Sequence, residues 1–248
     1  MSANEIIDCH AHVIDPGRFA YADGPGYHPL PHERGTREAF EAVLDAHSVK
    51  HALLVQPSCY GTDNSAMLDA VRHGSGRFKA IAVVAPDISD RALAALAEQG
   101  VVGVRFNLVT YDPEAVAEAA ATGLLAKIKA ADMFAQIYAH DEQWLTLAPV
   151  LRRHGVKVLV DHFGVRDLSA GAAAPGFQTV LELGRDGNAV VKLSAPFRLA
   201  ASPEGYGEID EFADLLLTAF GIKGCVWGSD WPFLAVGRPI RYGDLAAT

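Results

Sequence analysis

The chain alternates short apolar runs rich in β-branched residues with longer stretches rich in Ala, Leu and Glu. Most of the short runs are almost continuously apolar, which is typical of parallel strands buried on both faces. The predicted strands begin near Glu5, His51, Phe78, Val101, Met133, Val156, Ala189 and Gly224. The clearest predicted helices between them are Thr36–His47, Asp63–His73, Asp90–Glu98, Pro113–Ala130, Glu142–His154 and Gly207–Phe220.

Eight β/α steps in 248 residues predict an α/β fold, a distorted TIM (β/α)8 barrel that forms a single domain over residues 1–248. A doubly wound open sheet is the alternative, but the first strand is followed by Cys9-His10-Ala11-His12 instead of a glycine-rich phosphate turn. Only Pro232–Thr248 follows the last strand, so the barrel could lack its last helix. A partner subunit is one way to cover that flank, which leaves a homo-oligomer open.

Composition excludes several classes of partner. The formal net charge of −9 argues against nucleic acid, which requires a basic face. No apolar run approaches the roughly 20 residues that span a bilayer, so no membrane association is expected. The three cysteines have no C-x-x-C spacing and form no disulfide pattern, which favours a reducing, cytoplasmic location.

Polar side chains end most of the predicted strands. In a (β/α)8 barrel the carboxyl ends of the strands form the active site, so these side chains are expected to converge there. The long loop Val13–Gly35, which follows the first strand, is expected to be a lid or a binding loop at the same end. The strand-end residues are His10, His12, Gln56, Ser58, Arg105, Asn107, Gln136, Tyr138, His140, Asp161, His162, Lys192, Ser194, Arg198, Ser229 and Asp230.

His10 and His12 are two residues apart in a strand, so both imidazoles project to one face and could chelate one ion. A chance pair of surface histidines is the alternative.

Asp230 ends the last strand, where partial burial is expected to raise its pKa towards that of a useful general base; a turn aspartate before Pro232 is the alternative. His162 follows Asp161, which either orients it for catalysis or makes it an ordinary core histidine.

Two arginines indicate the class of substrate. Arg105 lies inside an otherwise apolar strand, where an unpaired cation is costly, so it either pairs internally or binds an anionic ligand. Arg198 lies just beyond the seventh strand and is either a second ligand for such an anion or a surface charge. Together they suit a small mono- or dicarboxylate.

These motifs, taken together, resemble the amidohydrolase superfamily in its amidohydrolase-2 branch, and most of all its 2-pyrone-4,6-dicarboxylate lactonase group. The resemblance covers nearly the whole chain in order. Its motifs are D-C-H-A-H-V (Asp8–Val13), Q-P-S-C-Y-G-T-D-N (Gln56–Asn64), G-V-R-F-N (Gly103–Asn107), V-D-H-F-G (Val160–Gly164), K-L-S-A-P-F-R (Lys192–Arg198) and W-G-S-D-W-P (Trp227–Pro232).

The resemblance implies a barrel hydrolase with either no cofactor or one divalent metal, zinc or manganese. In metal-using relatives, the residues matching His10, His12 and Asp230 are ligands, joined by a histidine of the fifth strand. Here that strand reads A-Q-I-Y-A-H, and the matching position is closer to Gln136 or Tyr138 than to His140. The lactonase group itself works without a metal.

The preferred hypothesis is hydrolysis of a carboxylated lactone. Asp230 would be the general base, while His10, His12 and His162 would polarise the carbonyl group. Arg105 and Arg198, with Tyr138, Ser58 and Asn107 as further candidates, would bind the substrate carboxylates. The alternatives are a metal-dependent decarboxylase on the same scaffold and a non-catalytic protein that binds organic acids.

Overall fold

The structure is a computed structural model that describes residues 5–23, 27–110, 112, 114–200 and 207–246. Within them, eight parallel strands lie in sequence order around a nearly closed barrel, with helices between consecutive strands. This confirms the predicted TIM barrel. The strands are β1 (Ile6–Ala11), β2 (Val49–Val55), β3 (Phe78–Ala82), β4 (Val101–Asn107), β5 (Phe134–Tyr138), β6 (Lys157–Val160), β7 (Ala189–Ser194) and β8 (Cys225–Gly228).

The helices pack on the outside of the barrel. They are α1 (Arg37–Ala46), α2 (Ser65–His73), α3 (Asp90–Glu98), α4 (Ala115–Ala121), α5 (Leu124–Ala130), α6 (Trp144–His154), α7 (Pro175–Arg185), α8 (Gly207–Phe220) and α9 (Tyr242–Ala246). None of the described helices is both long enough and apolar enough to cross a membrane.

Two helices differ from the sequence prediction. The single helix predicted over Pro113–Ala130 is two helices, because Gly123 between them adopts a left-handed conformation (φ 82°). Helix α7 was not predicted, since its sequence begins with Pro175 and Gly176 and carries a further glycine near its end. Gly176 is required by close packing: a Cβ there would lie 1.8 Å from the carbonyl oxygen of Asp141.

Strands β1 and β8 meet without a regular ladder. The N–H of Asp230 donates to the carbonyl of His10 (2.7 Å), and the N–H of His12 donates to the carbonyl of Trp231 (2.8 Å). Beneath these bonds, the buried carboxylate of Asp8 accepts from the hydroxyl groups of Ser229 (2.6 Å) and Tyr242 (2.9 Å). Tyr242 begins α9, so a short helix does follow β8 and is tied to this seam.

The interior of the barrel is layered. Because side chains alternate along a strand, Phe134, Gln136 and Tyr138 share the inward face of β5, from the bottom of the barrel to its mouth. The bottom layer is apolar and includes Val55 and Ile81. The middle layer is polar and fully buried. We call it the buried layer, and it consists of His10, Gln136, Asp161 and Lys192.

Candidate active site

A cavity of about 250 Å³ opens at the carboxyl ends of the strands. It brings together eight of the residues that the sequence singled out: Ser58, Arg105, Asn107, Tyr138, His12, His162, Arg198 and Asp230. Tyr27 and Pro29, from the long loop after β1, line the cavity as well. That loop is held by Glu33, whose carboxylate accepts from the N–H groups of Leu30 (2.8 Å) and Ala235 (2.7 Å).

His12 and Asp230 form the floor of this cavity, and His10 lies directly behind them. Asp230 Oδ1 lies 3.3 Å from His12 Nε2 and 3.6 Å from His10 Nε2. His12 Nδ1 donates to the carbonyl of Val55 (2.7 Å), since a carbonyl oxygen can only accept. When the ring of His12 is neutral, the lone pair on Nε2 therefore points towards Asp230.

His10 lies behind the floor and does not itself line the cavity. Its ring stacks on that of His162, with 4.5 Å between the ring centroids, and no part of the residue is exposed. Burial, followed by the nearby charge of Lys192, lowers the pKa of His10 well below its ordinary value. His10 is therefore a neutral imidazole at physiological pH.

The expectation of a raised pKa for Asp230 was wrong. Burial by itself would raise the pKa of this carboxyl, but the guanidinium of Arg198 and the neighbouring histidines hold it well below its ordinary value. Arg198 Nε and Nη2 lie 2.6 Å and 2.5 Å from Asp230 Oδ2, so two nitrogen atoms of the guanidinium contact the same carboxylate oxygen. Arg198 therefore lines the cavity, paired with Asp230, and is not a plain surface charge.

His162 lies at the end of β6 and on the wall of the cavity. Asp161 does not orient it; instead the Nδ1 atom of His162 lies 2.8 Å from the hydroxyl oxygen of Ser194, and its ring meets the edge of Tyr138. Burial lowers the pKa of His162 to about 4, so the imidazole is neutral at physiological pH. If the Ser194 hydroxyl donates to Nδ1, the Nε2 proton of His162 is available to a ligand.

Three non-glycine residues that lie within two positions of the end of a strand have left-handed backbone conformations. These are His162 (φ 49°), Ala195 (φ 54°) and Asp230 (φ 62°). Such conformations cost about 1 kcal/mol or more and are concentrated at functional sites. Here they turn the chain sharply at the barrel mouth, and two of the three residues line the cavity.

Three basic side chains line the cavity. Arg105 donates from Nη1 to the carbonyl of Gln56 (3.0 Å), and its guanidinium is 5.9 Å from the centre of the Tyr138 ring. Arg166 was missed by the sequence analysis, although it follows β6 by a few residues, and its guanidinium lies 5.2 Å from the centre of the same ring. We call Arg105, Tyr138, Arg166 and Arg198 the arginine wall.

Ser58 and Asn107 stand beside the arginine wall and contact each other. The amide nitrogen of Asn107 donates to the Ser58 hydroxyl oxygen (3.0 Å). The amide oxygen of Asn107 accepts from the N–H of Thr110 (3.1 Å) and from its hydroxyl group (2.8 Å). Asn107 therefore orders the loop after β4 as well as facing the cavity.

The fifth strand brings Gln136, and not His140, into the barrel. His140 is exposed and does not line the cavity. Gln136 is fully buried; its Nε2 donates to Asp161 Oδ2 (2.9 Å) and its Oε1 accepts from Lys192 Nζ (2.8 Å). Lys192 is one of the residues on β7 that the sequence singled out. The sequence could not show, however, that its side chain ends in the interior of the barrel.

His10, His12 and Asp230 are candidate ligands for a divalent metal. One ligand atom from each of His10, His12 and Asp230 lies within 4.8 Å of the others, and these are donor types that zinc or manganese accepts. Two observations oppose this fit. Arg198 already contacts the aspartate, and the Lys192 ammonium lies 3.2 Å from His10 Nδ1. With Gln136 in place of a fifth-strand histidine, the residues present fit such an ion poorly.

The fold and the site define an enzyme of the (β/α)8 hydrolase class, with its polar groups at the carboxyl ends of the strands. The chain matches the amidohydrolase family model (Amidohydro_2) over residues 7–248, and it belongs to that family. Among solved structures, a probable 2-pyrone-4,6-dicarboxylic acid hydrolase from Acinetobacter baumannii, with citric acid bound, is 30% identical. The TM-score is 0.85, and the match covers 98% of this chain and 90% of that one.

Two further relatives support the same family assignment. A 4-sulfomuconolactone hydrolase of Hydrogenophaga intermedia is 28% identical over 96% of this chain and 79% of its own length. A 2-pyrone-4,6-dicarboxylate hydrolase of Comamonas testosteroni is 28% identical over 91% of this chain and 76% of its own length. These relatives are lactone hydrolases, and the predicted resemblance to this branch is confirmed.

Proposed function

We propose that this enzyme hydrolyses a small lactone that carries two acidic groups. The observation that carries the proposal is that three guanidinium groups line a cavity whose floor holds Asp230 beside His12. Arginine binds carboxylates and similar planar anions through paired hydrogen bonds. A cavity of about 250 Å³ suits a single ring with its substituents.

The charges of the site favour an anionic substrate. Lys192, Arg105, Arg166 and Arg198 supply four positive charges, while Asp161 and Asp230, whose carboxyl pKa values are both held low, supply two negative ones. Among the residues that the structure describes, no carboxylate forms an ion pair with Arg166. A substrate with two acidic groups would neutralise this excess. The similar 2-pyrone-4,6-dicarboxylate and sulfomuconolactone hydrolases are named for substrates of that kind.

The chemistry proposed for the floor is a water attack on the lactone carbonyl. Asp230 accepts a proton from the water as the new carbon–oxygen bond forms, and the negative charge that develops on the carbonyl oxygen is stabilised by the Nε2 proton of His162. The intermediate then breaks the ring carbon–oxygen bond, and Asp230 returns the proton to the leaving oxygen. The product is the open-chain acid, and Asp230 is again a carboxylate.

The low pKa of Asp230 has a consequence for this step. A carboxylate paired with Arg198 is a weak base. An acidic group of the substrate that engages the Arg198 guanidinium would weaken this pairing and increase the basicity of Asp230. Substrate binding and activation of the base would then be linked, which favours charged lactones over neutral ones.

The test is an assay of chelator-treated enzyme on 2-pyrone-4,6-dicarboxylate, on sulfomuconolactone and on a neutral lactone of similar size, with acid release as the readout. Acid release from at least one charged lactone, insensitive to chelator, is the expected result. Release of carbon dioxide together with loss of activity on chelation would establish the decarboxylase alternative instead. Tight binding of these acids without turnover would establish a binding protein.

A further inference from the structure

The side chain of Lys192 is fully buried in the interior of the barrel, beneath the cavity floor. A buried ammonium group must direct its three N–H bonds at acceptors, because an unpaired charge there is very costly. Three acceptor atoms surround it. Gln136 Oε1 lies 2.8 Å from Nζ, Asp161 Oδ1 lies 3.2 Å away, and His10 Nδ1 also lies 3.2 Å away.

This arrangement determines which nitrogen of His10 carries the proton. The competing acceptor for a proton on His10 Nδ1 is Asp161 Oδ1, at 3.3 Å. In that tautomer, however, the third N–H bond of Lys192 would point at another N–H group. With the lone pair on His10 Nδ1, Lys192 Nζ donates to this atom and to Gln136 Oε1. Asp161 Oδ1, which has no hydrogen-bond partner among the described residues, stays an ion-pair partner of Lys192, while Asp161 Oδ2 accepts from Gln136 Nε2 (2.9 Å).

We propose that Lys192 is a positioning residue that holds His10 in the tautomer with its proton on Nε2. His10 then presents a hydrogen-bond donor, and not a lone pair, to the space that it shares with His12 and Asp230. Among the described residues, neither His10 Nε2 nor Asp230 Oδ1 has a hydrogen-bond partner, although both are buried. The two atoms are 3.6 Å apart.

The tautomer decides what the floor can bind. When the ring of His12 is neutral, His12 Nε2 and Asp230 Oδ1 accept hydrogen bonds and His10 Nε2 donates one. Together these atoms suit a water molecule that donates two hydrogen bonds and accepts one. A divalent metal would need lone pairs from both histidines. Lys192 therefore selects a water molecule over a metal ion at this point.

The first experiment measures the tautomer in the wild-type protein by two-bond ¹H–¹⁵N correlation NMR of uniformly ¹⁵N-labelled enzyme, with His10→Gln used to assign the signals. We expect a protonated Nε2 and an unprotonated Nδ1 for His10. A protonated Nδ1 would overturn the proposal. This measurement needs no lactone, so its outcome does not depend on the proposed function.

The second experiment compares Lys192→Met with Lys223→Met, which changes an exposed lysine at the other end of the barrel. In Lys192→Met the proton should move to Nδ1, since Asp161 becomes its acceptor, and the variant should bind zinc stoichiometrically by elemental analysis, unlike the wild type. Lys223→Met should show neither change. A folded Lys192→Met with an unchanged tautomer would contradict the proposal, and if this variant does not fold, the wild-type spectrum decides.

The kinetic consequence rests on the proposed function. For a lactone that the wild type hydrolyses, Lys192→Met should lower kcat by about 100-fold and leave KM within about twofold, because only the alignment of the water is lost. Lys192→Arg keeps the charge and should recover part of this loss. A change in KM alone would show that Lys192 acts on substrate binding, against the proposal.

Discussion

The buried layer and the arginine wall contain the same kinds of charged group but differ in how these groups are partnered. In the buried layer, Lys192 and Asp161 form an ion pair, and each also makes a hydrogen bond with Gln136. In the arginine wall, Arg198 pairs with Asp230 but its side chain is 19% exposed, and Arg166 forms no carboxylate pair within the described residues. An inward charge that has protein partners, such as Lys192, can serve alignment, whereas one without a carboxylate partner, such as Arg166, can serve recognition of a substrate.

The comparison predicts that changes at the floor affect kcat and that changes at the wall affect KM. Asp230 joins the two regions, because one of its oxygens faces the floor and the other binds Arg198.

The largest effect is expected for Asp230→Asn. An amide cannot accept the proton of the attacking water, so kcat should fall by about 1,000-fold, or about 4 kcal/mol. Steady-state kinetics on a charged lactone measures this, with thermal unfolding as the control for folding. A loss below about tenfold would show that Asp230 is not the general base.

A pH-dependent loss of stability of about 3 kcal/mol is expected from His162. Its pKa is about 4 in the folded protein, against 6.5 in an unfolded chain, so the unfolded state binds more protons between these values. The free energy of unfolding should therefore fall as the pH falls from about 6.5 to about 4. Urea unfolding across this range measures the slope.

His162→Gln should flatten this slope, whereas His140→Gln, which changes an exposed histidine, should preserve it. If the wild type and His162→Gln lose stability in parallel, then another group is responsible for the acid sensitivity. The same low pKa predicts that the hydrolysis rate will not fall on the acid side through protonation of His162 until the pH approaches about 4.

Arg166→Gln tests the arginine wall and should raise KM for a doubly charged lactone by about 30-fold, which is about 2 kcal/mol for a lost charge-assisted hydrogen bond. Its kcat should change little, since Arg166 does not contact the floor. Arg153→Gln, at an exposed position of α6, is the matched control. An equal effect on a singly charged lactone would mean that Arg166 does not bind the second acidic group.

The smallest effect is expected for Tyr242→Phe, which removes one of the hydrogen bonds to the buried carboxylate of Asp8. The free energy of unfolding should fall by about 1 kcal/mol, with KM unchanged. Chemical denaturation and steady-state kinetics measure the two quantities. A raised KM would indicate that the seam between β1 and β8 also shapes the arginine wall.

Much of the site could be predicted from the sequence, because apolar runs reveal strands and a (β/α)8 barrel brings the ends of its strands together. Arg105, His162 and Asp230 were predicted on that basis and do line one cavity. Arg166 was missed because it lies in a loop, where no periodicity indicates the direction of a side chain. The predicted direction of the pKa shift of Asp230 was wrong, because the sequence indicated that this carboxyl is buried but not that it contacts Arg198.

The barrel, its family and the polar residues at its mouth could be predicted, since they follow from local patterns of residues along the chain. How the charges pair depends instead on contacts between distant parts of the chain. Lys192 and His10 are 182 positions apart, yet they are 3.2 Å apart across the barrel interior. Electrostatic and hydrogen-bond energies depend on such distances in space, so the sequence could not show that an ammonium group lies beside the histidine pair that could have chelated an ion.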